Sequence, residues 1–282
     1  MQTVEQLKEI AAQVRRDIIR MISNAKSGHP GGSLGCADVL TALFFQTMNI
    51  DPRSFTKEGR GEDMFFLSNG HLSSLLYSVM ARRGYFDISE LSTFRLLGTR
   101  LQGHPTPVEN LPGLRVASGS LGQGLSVALG AAIAKKHDQD PNLVFVLTGD
   151  GELEEGQCWE AFMFAGAKNV DNLIAIIDHN KKQIDGSTDD VMPLGSLKQK
   201  LESFQWEVME MNGNDMNEVV DTLSVAKLKT QQGKPVAIVM KTEMGMGVDF
   251  MMGTHKWHGT PPNAEQTENA LSQLPVTSLG DF

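Results

Sequence analysis

Four short apolar runs constrain this chain more than any other feature. Met64-Phe65-Phe66-Leu67, Leu143-Val144-Phe145-Val146-Leu147, Leu173-Ile174-Ala175-Ile176-Ile177 and Val236-Ala237-Ile238-Val239-Met240 are continuous rather than alternating. Strands of this kind are covered on both faces, because a strand with one wet face carries polar residues at every second position. Between and around the runs, residues 72–82, 121–136, 155–168 and 215–231 read as helices. Strands alternating with helices need right-handed crossovers, so the expected fold class is α/β, a mainly parallel sheet with helices on both faces. Ahead of the first run, Leu7, Ile10, Val14, Ile18 and Met21 repeat at the spacing of an amphipathic helix over residues 4–22. SGHPGGSLG is expected to break that helix, and residues 36–48 to form a second, more buried one.

At 282 residues the chain has room for one large domain or two modest ones, and one α/β domain is the simpler expectation. Its 40% hydrophobic and 21% charged residues suit a packed core rather than disorder. The 25 Lys and Arg are scattered and outnumbered by 34 Asp and Glu, which argues against nucleic acid or an anionic membrane as a partner. No apolar run approaches the ~20 residues of a membrane span. The opening MQTVEQLKEI carries acidic residues and no apolar signal region. Cys36 and Cys158 are too far apart for a CxxC motif and too few for a disulfide scaffold. A cytoplasmic location is expected. Past His258, TPPNAEQTENALSQLPVTSLGDF is polar and weakly patterned, so residues 261–282 are expected to be a surface extension of a domain spanning 1–260.

The strand at 143–147 ends in Thr148-Gly149-Asp150-Gly151, with a helix following. Ligands of open α/β sheets sit outside the carboxyl ends of strands, where a glycine turn and a helix start can meet an anion. Gly and Asp also make ordinary turns, and by itself this one reads either way. The strand at 173–177 ends in Asp178-His179-Asn180, thirty positions after Asp150. One strand-helix-strand unit of that length brings Asp150 and Asn180 to neighbouring strand ends as two oxygen ligands. Mg²⁺ takes about six oxygens, one or two from side chains and the rest from phosphate and water. A diphosphate-bridging Mg²⁺ fits. His29, His71, His104 and His258 each sit beside glycine, in SGHPGG, SNGH, LQGHP and KWHG. Such histidines either face a ligand or simply cap turns; zinc would have to gather them from four loops without an HxxxH or HxxEH spacing.

GDGELEEGQCWEAFMFAGAKNVDNLIAIIDHN resembles the thiamine-diphosphate motif, which opens with GDG and closes with Asn after roughly thirty residues. With the four histidine loops in this order, residues 5–260 resemble the diphosphate-binding part of transketolase; deoxyxylulose-phosphate synthase shares the layout, but SGHPGGSLG and QGHPTP read more like transketolase. The resemblance implies a three-layer thiamine-diphosphate-binding fold and transfer of a two-carbon ketol unit between sugar phosphates. It implies Mg²⁺, replaceable by Ca²⁺ or Mn²⁺, held by Asp150, Asn180 and the Lys182 carbonyl. Cofactor contacts would come from His71, Gly119, Leu121, Gly149, Asp150, Gly151, Glu160, Asn180, Ile184 and His258. His29, His104, His258 and Glu155 would serve catalysis, with Glu155 and Glu160 linking paired sites across a dimer.

A full transketolase continues for several hundred residues with a pyrimidine-binding domain. This chain is therefore similar to the first subunit of a split enzyme, expected to form α2β2 with a C-terminal pyrimidine-binding subunit. The alternatives are a subunit of another thiamine enzyme, deoxyxylulose-phosphate-synthase-like or 2-oxo acid dehydrogenase-like, and a non-catalytic scaffold retaining the cofactor fold.

Overall fold

Thr3 opens a 22-residue helix, α1 (Val4–Ala25), with a reciprocal cap. Its hydroxyl accepts the Gln6 N–H at 3.2 Å while the Gln6 side chain accepts the Thr3 N–H at 2.8 Å, satisfying two helix-end donors. The apolar stripe expected from the sequence is buried along its length: Leu7, Ile10, Val14, Ile18 and Met21. The structure is a computed structural model and describes residues 2–282.

The break after α1 is shorter than SGHPGGSLG suggested. It is confined to residues 26–29, where Lys26 (φ 51°) and Gly28 (φ 144°) turn the chain, and helix resumes at Pro30. Proline suits a first helical position because its missing N–H is unpaired there anyway. Helices α2 (Pro30–Gly35) and α3 (Ala37–Ala42) follow, then a π-helical turn, Leu43–Thr47. After strand β1 (Met64–Leu67) come α4 (Ser73–Arg83), α5 (Gly124–His137), β2 (Val144–Gly149), α6 (Gly156–Ala167) and β3 (Leu173–His179). A two-residue pair, β4 (Lys182–Gln183) and β5 (Gly186–Ser187), precedes α7 (Thr188–Val191) and α8 (Leu197–Ser203). The remaining elements are β6 (Glu207–Asn212), α9 (Met216–Lys229), β7 (Val236–Lys241) and α10 (Ala264–Gln273).

The four apolar runs pair as parallel strands, in the order β1-β2-β3-β7-β6 with β6 added at the edge. Successive side chains go to opposite faces. Ile174 and Ile176 of β3 join a core with α1, α3, α4 and α9, while Leu173, Ala175 and Ile177 join one with α5, α6 and α8. Three layers result, as the fold class required. Strand β6 was not expected: at the sheet edge only Met211 of its six residues is buried, so EVMEMN carries no continuous apolar run.

The tail is at the surface but tethered. Asn263 and Gln266 cap α10 reciprocally, α10 packs on α1, and Leu274 is buried. Beyond it, Asp281 accepts from Arg16 Nε at 2.8 Å and Nη2 at 2.7 Å, and from Gln13 at 2.9 Å. The polar residues of this surface extension include Thr277, Ser278 and Asp281, which bond to Gln13, Glu9 and Arg16 of α1.

These bonds hold the Asp281 carboxyl well below the usual carboxylate range, the Arg16 hydrogen bond contributing most. A carboxylate with a depressed native pKa adds stability above its unfolded pKa of ~3.9, and that stability is lost as pH falls toward the native value. Asp281→Asn is accordingly expected to cost about 0.5–1 kcal/mol in urea unfolding at pH 7, because the ion pair is partly open to solvent. The difference should shrink steadily below pH ~4. An equal deficit at pH 7 and pH 3 would mean that the loss is packing rather than charge.

Candidate active site

Pairing of β2 with β3 sets the first part of the site. Gly149 stands opposite Asp178, and the Asp150 N–H donates to the Asp178 carbonyl at 3.0 Å. The turn at 149–151 and the segment 178–180 therefore lie side by side, as the thirty-residue spacing predicted. Asp150 is 2% exposed; its Oδ1 accepts the Gly151 N–H at 2.8 Å and its Oδ2 the Lys181 N–H at 2.6 Å. The Asn180 amide donates to Asp178 Oδ2 at 2.8 Å, and its Oδ1 accepts the Lys182 N–H at 2.8 Å. Burial, and then the facing Asp178, push the Asp150 carboxyl up to about 7. Burial raises Asp178 as well, against hydrogen bonds from Thr242, Cys36 and Asn180.

The four glycine-flanked histidines meet, although they are up to 229 positions apart. Ring centroids lie 5.2 Å apart for His29 and His71, 5.1 Å for His71 and His258, 5.8 Å for His29 and His258, and 6.3 Å for His29 and His104. Backbone bonds tie their loops together. The Gly31 N–H donates to the Trp257 carbonyl at 3.0 Å, and the Gly245 N–H to the Gly31 carbonyl at 2.9 Å, so the His29 and His258 segments move as one. His71 lies in the 3₁₀ turn Gly70–Leu72 at the carboxyl end of β1. Gly119 (φ 123°) lies flat against His104, where a Cβ would stand 2.9 Å from the imidazole carbons. Only glycine tolerates both that dihedral and that contact.

Burial first, and then the neighbouring His258, lower the His29 pKa to about 4 and that of His71 to about 3. His104 and His258 are also lowered, mainly by burial. Near neutral pH the cluster is thus a set of uncharged rings, each able to donate through one nitrogen and accept through the other.

Carboxylates and histidines line one cavity of about 320 Å³. His29, His71, His104, Gly119, Leu121, Gly149, Asp150, Gly151, Asn180, Lys182, Ile184 and His258 all line it. Glu155 and Glu160 do not: Glu155 caps α6, Glu160 lies one turn on, and both side chains are exposed outside the cavity. The carboxylate that this chain turns inward is Glu152, which is 2% exposed. It accepts the Ser68 hydroxyl, the Gly122 N–H at 2.8 Å and the Gly149 N–H at 3.1 Å, joining three loops of the site. Nothing in GELEEG distinguishes Glu152 by type. Its signal is position, two residues past the GDG aspartate in a turn that curls back beneath the strand end. Asn69, Asp178 and Gln183 also line the cavity and were not singled out by sequence.

The donors present fit a diphosphate with a bridging cation. Two buried carboxylates face each other at the strand ends, and each bonded oxygen of Asp150 and Asn180 keeps a second lone pair. His29 Nδ1 and Asn69 Oδ1, both on cavity-lining residues, are buried without a hydrogen-bond partner. Such orphaned atoms are expected where a polar ligand completes the site.

Comparison with known proteins agrees with this chemistry. Residues 6–278 match the family described as transketolase, thiamine diphosphate binding domain. The chain is 39% identical over 271 residues to an apulose-4-phosphate transketolase subunit of Phocaeicola vulgatus, covering 96% of this chain and 94% of that one. It is 39% identical over 268 residues to the 6-deoxy-6-sulfo-D-fructose transketolase subunit SqwG of a Clostridium species, covering 95% and 96%. Against human transketolase the identity is 34% over 277 residues, 97% of this chain but 42% of that protein. The solved transketolase of Leishmania mexicana superposes with a TM-score of 0.90 at 32% identity, covering all of this chain and 42% of that one.

The histidine electrostatics can be tested directly. A histidine whose native pKa is depressed lends stability above its unfolded pKa of ~6.5, lost as pH falls toward the native value. NMR titration of the imidazoles in the cofactor-free chain is expected to show His29 and His71 uncharged from pH 8 down to ~5, with the fold losing stability over the window between ~6.5 and that limit. Titration of either ring near 6.5 would show that it is hydrated rather than enclosed.

Proposed function

The chain belongs to the transketolase family as its thiamine diphosphate binding domain; from that premise we propose that it is one subunit of a two-subunit transketolase acting on sugar phosphates. The observation carrying this reading is the convergence of four histidines from four distant loops on a cavity whose other end holds Asp150 and Asn180. Nearly end-to-end matches to two proteins named as transketolase subunits support a separate partner chain. That partner is read as the pyrimidine-binding subunit, with two copies of each chain. Mammalian transketolases, of which this chain spans 42%, carry both parts in one polypeptide in this reading.

Asp150 and Asn180, with the Lys182 carbonyl, would hold Mg²⁺ between the strand ends and the cofactor diphosphate; Ca²⁺ or Mn²⁺ would serve through the same oxygen donors. Bound thiamine diphosphate supplies the carbon nucleophile and electron sink for ketol transfer. This chain's residues supply position and proton movement. His71 and His258 face the diphosphate, and Gly119, Leu121, Gly149, Gly151 and Ile184 shape the cofactor's bed. His29 and His258 hold or pass a proton at the carbonyl and hydroxyl oxygens of the donor, and His104 orients its hydroxyls. Uncharged imidazoles suit this work, since each can both donate and accept. Glu155 and Glu160, exposed in the single chain, are assigned to contacts between paired sites. We place the protein in the cytoplasm, in keeping with its two free cysteines, Cys36 and Cys158. Among the described residues no helix is long and apolar enough to cross a membrane.

Asp150→Ala or Asn180→Ala is expected to weaken thiamine diphosphate binding at least ~10-fold in calorimetric titrations with Mg²⁺, because an oxygen ligand of the metal is lost. Unchanged affinity in either variant would remove the metal assignment.

The chain alone is expected to transfer no ketol group from xylulose 5-phosphate to ribose 5-phosphate. Adding a pyrimidine-domain subunit should restore turnover, with light scattering reporting a four-chain mass. Robust activity from this chain by itself would refute the split-enzyme reading. A complex inert on every ketose phosphate tried would move the reading to another thiamine enzyme.

A further inference from the structure

Arg95 lies outside the cavity and is given no part in the reaction by the resemblance to transketolase. Its surroundings are unusual for an arginine. It is a non-glycine residue at φ 60°, a conformation that side-chain residues adopt only when the fold compels it. Its backbone N–H donates to the Leu101 carbonyl at 2.8 Å, closing the loop back on itself. The guanidinium then reaches two segments far apart in sequence. Nη1 donates to the Ser27 hydroxyl at 2.9 Å and Nη2 to the Gly103 carbonyl at 3.0 Å, while Nε is buried without a partner. Gly103 lies against it so closely that a Cβ there would stand 3.0 Å from the guanidinium carbon.

Ser27 is two residues before His29, and Gly103 is immediately before His104. No carboxylate balances the charge; the acidic group it faces is the Tyr77 phenol, and burial depresses the guanidinium pKa. A half-buried cation without a counter-ion is costly, so a fold that only needed to join two loops would do so more cheaply with a neutral side chain. We propose that Arg95 is a positioning residue, whose planar fork locks the loop bearing His29 to the loop bearing His104 and so sets the spacing of the two imidazoles that face the donor sugar. This rests on the reading of His29 and His104 as substrate-facing. Arg95 also acts electrostatically on both rings. Together with burial and, at His29, the neighbouring His258 and His104, its charge keeps them unprotonated.

Hydrogen exchange of the full chain without cofactor tests the clamp independently of any turnover. In Arg95→Met, exchange is expected to rise in segments 26–31 and 101–105 together, with 68–72 and 149–152 unchanged. Ser27→Ala, the milder variant, should loosen 26–31 alone. In the complex with the pyrimidine-domain chain, assayed on a ketose phosphate, kcat/KM of Arg95→Met should fall by on the order of 10²-fold, the scale of a misplaced catalytic group, while thiamine diphosphate affinity stays within about 3-fold. Arg95→Lys should not rescue it, because an ammonium donates from a single point and lacks the rigid planar spread that lets Nη1 and Nη2 reach Ser27 and Gly103 separately. Unchanged exchange in both segments, a rise spread over the whole chain, or full rescue by lysine would each overturn the proposal. An assembly inactive even with Arg95 intact would count against the assigned reaction, and the exchange data would still decide the clamp.

Discussion

The register between β2 and β3 is the constraint on which the site rests. Val144 to Gly149 pair with Leu173 to Asp178 without a bulge, and the Asp150 N–H continues the ladder to the Asp178 carbonyl. A one-residue slip would turn every side chain of a strand to the opposite face. It would put Ile174 and Ile176 under α5 and α6 and carry Asp178 away from the turn at Gly149. Such a slip would misfit the side chains packed in both cores and displace the polar strand ends, which makes it costly. The hydrophobic core therefore fixes the position of the Asp150 and Asn180 oxygens as well as the fold.

That dependence explains which parts of the chain were legible in sequence. Runs such as LVFVL and LIAII are long enough and apolar enough to name buried strands, and their polar endings Gly149-Asp150-Gly151 and Asp178-His179-Asn180 then fall at the same sheet edge by geometry alone. Edge strand β6 has one buried residue, Met211, and its backbone pairing leaves no trace in side-chain type. The helix at Pro30–Gly35 is equally hidden, since three glycines disfavour helix locally and tertiary packing, including the bond from Gly31 to Trp257, overrides them. The tethering of the tail is hidden for the opposite reason. Asn263 and Gln266 look solvent-seeking until they are seen to cap α10 reciprocally, and Asp281 until Arg16 and Gln13 on α1 are seen as its partners.

Within the site, glycine neighbours marked the histidines because the loops need close backbone approach, which acts on residue type. Carboxylates were harder. Glu152, Glu154, Glu155 and Glu160 lie within one short stretch, and which of them turns inward depends on the 3₁₀ turn Gly151–Glu154 rather than on composition. The resemblance pointed to Glu155 and Glu160, which this chain leaves exposed, whereas Glu152 gathers the Ser68, Gly122 and Gly149 loops. A glutamate that faces solvent and one that turns into its own chain cannot be told apart by sequence position. Burial separates them.

The cavity is electrostatically divided, and the division follows from the same architecture. At the carboxyl ends of β2 and β3, Asp150, Asp178 and Glu152 crowd three buried carboxyls, each pushed upward by desolvation. Across the cavity the histidines are pushed downward by the same burial. Desolvation acts on both sets in the direction that removes charge, so the protein by itself approaches a neutral pocket. A divalent cation would restore the Asp150 carboxylate, and a diphosphate would in turn favour protonation of the rings nearest to it. A metal and an anion bound there would each stabilise the charged forms of the groups nearest to it, at opposite ends of the cavity. That would be a thermodynamic coupling between two ligands, acting on groups whose charged forms burial disfavours in the chain alone.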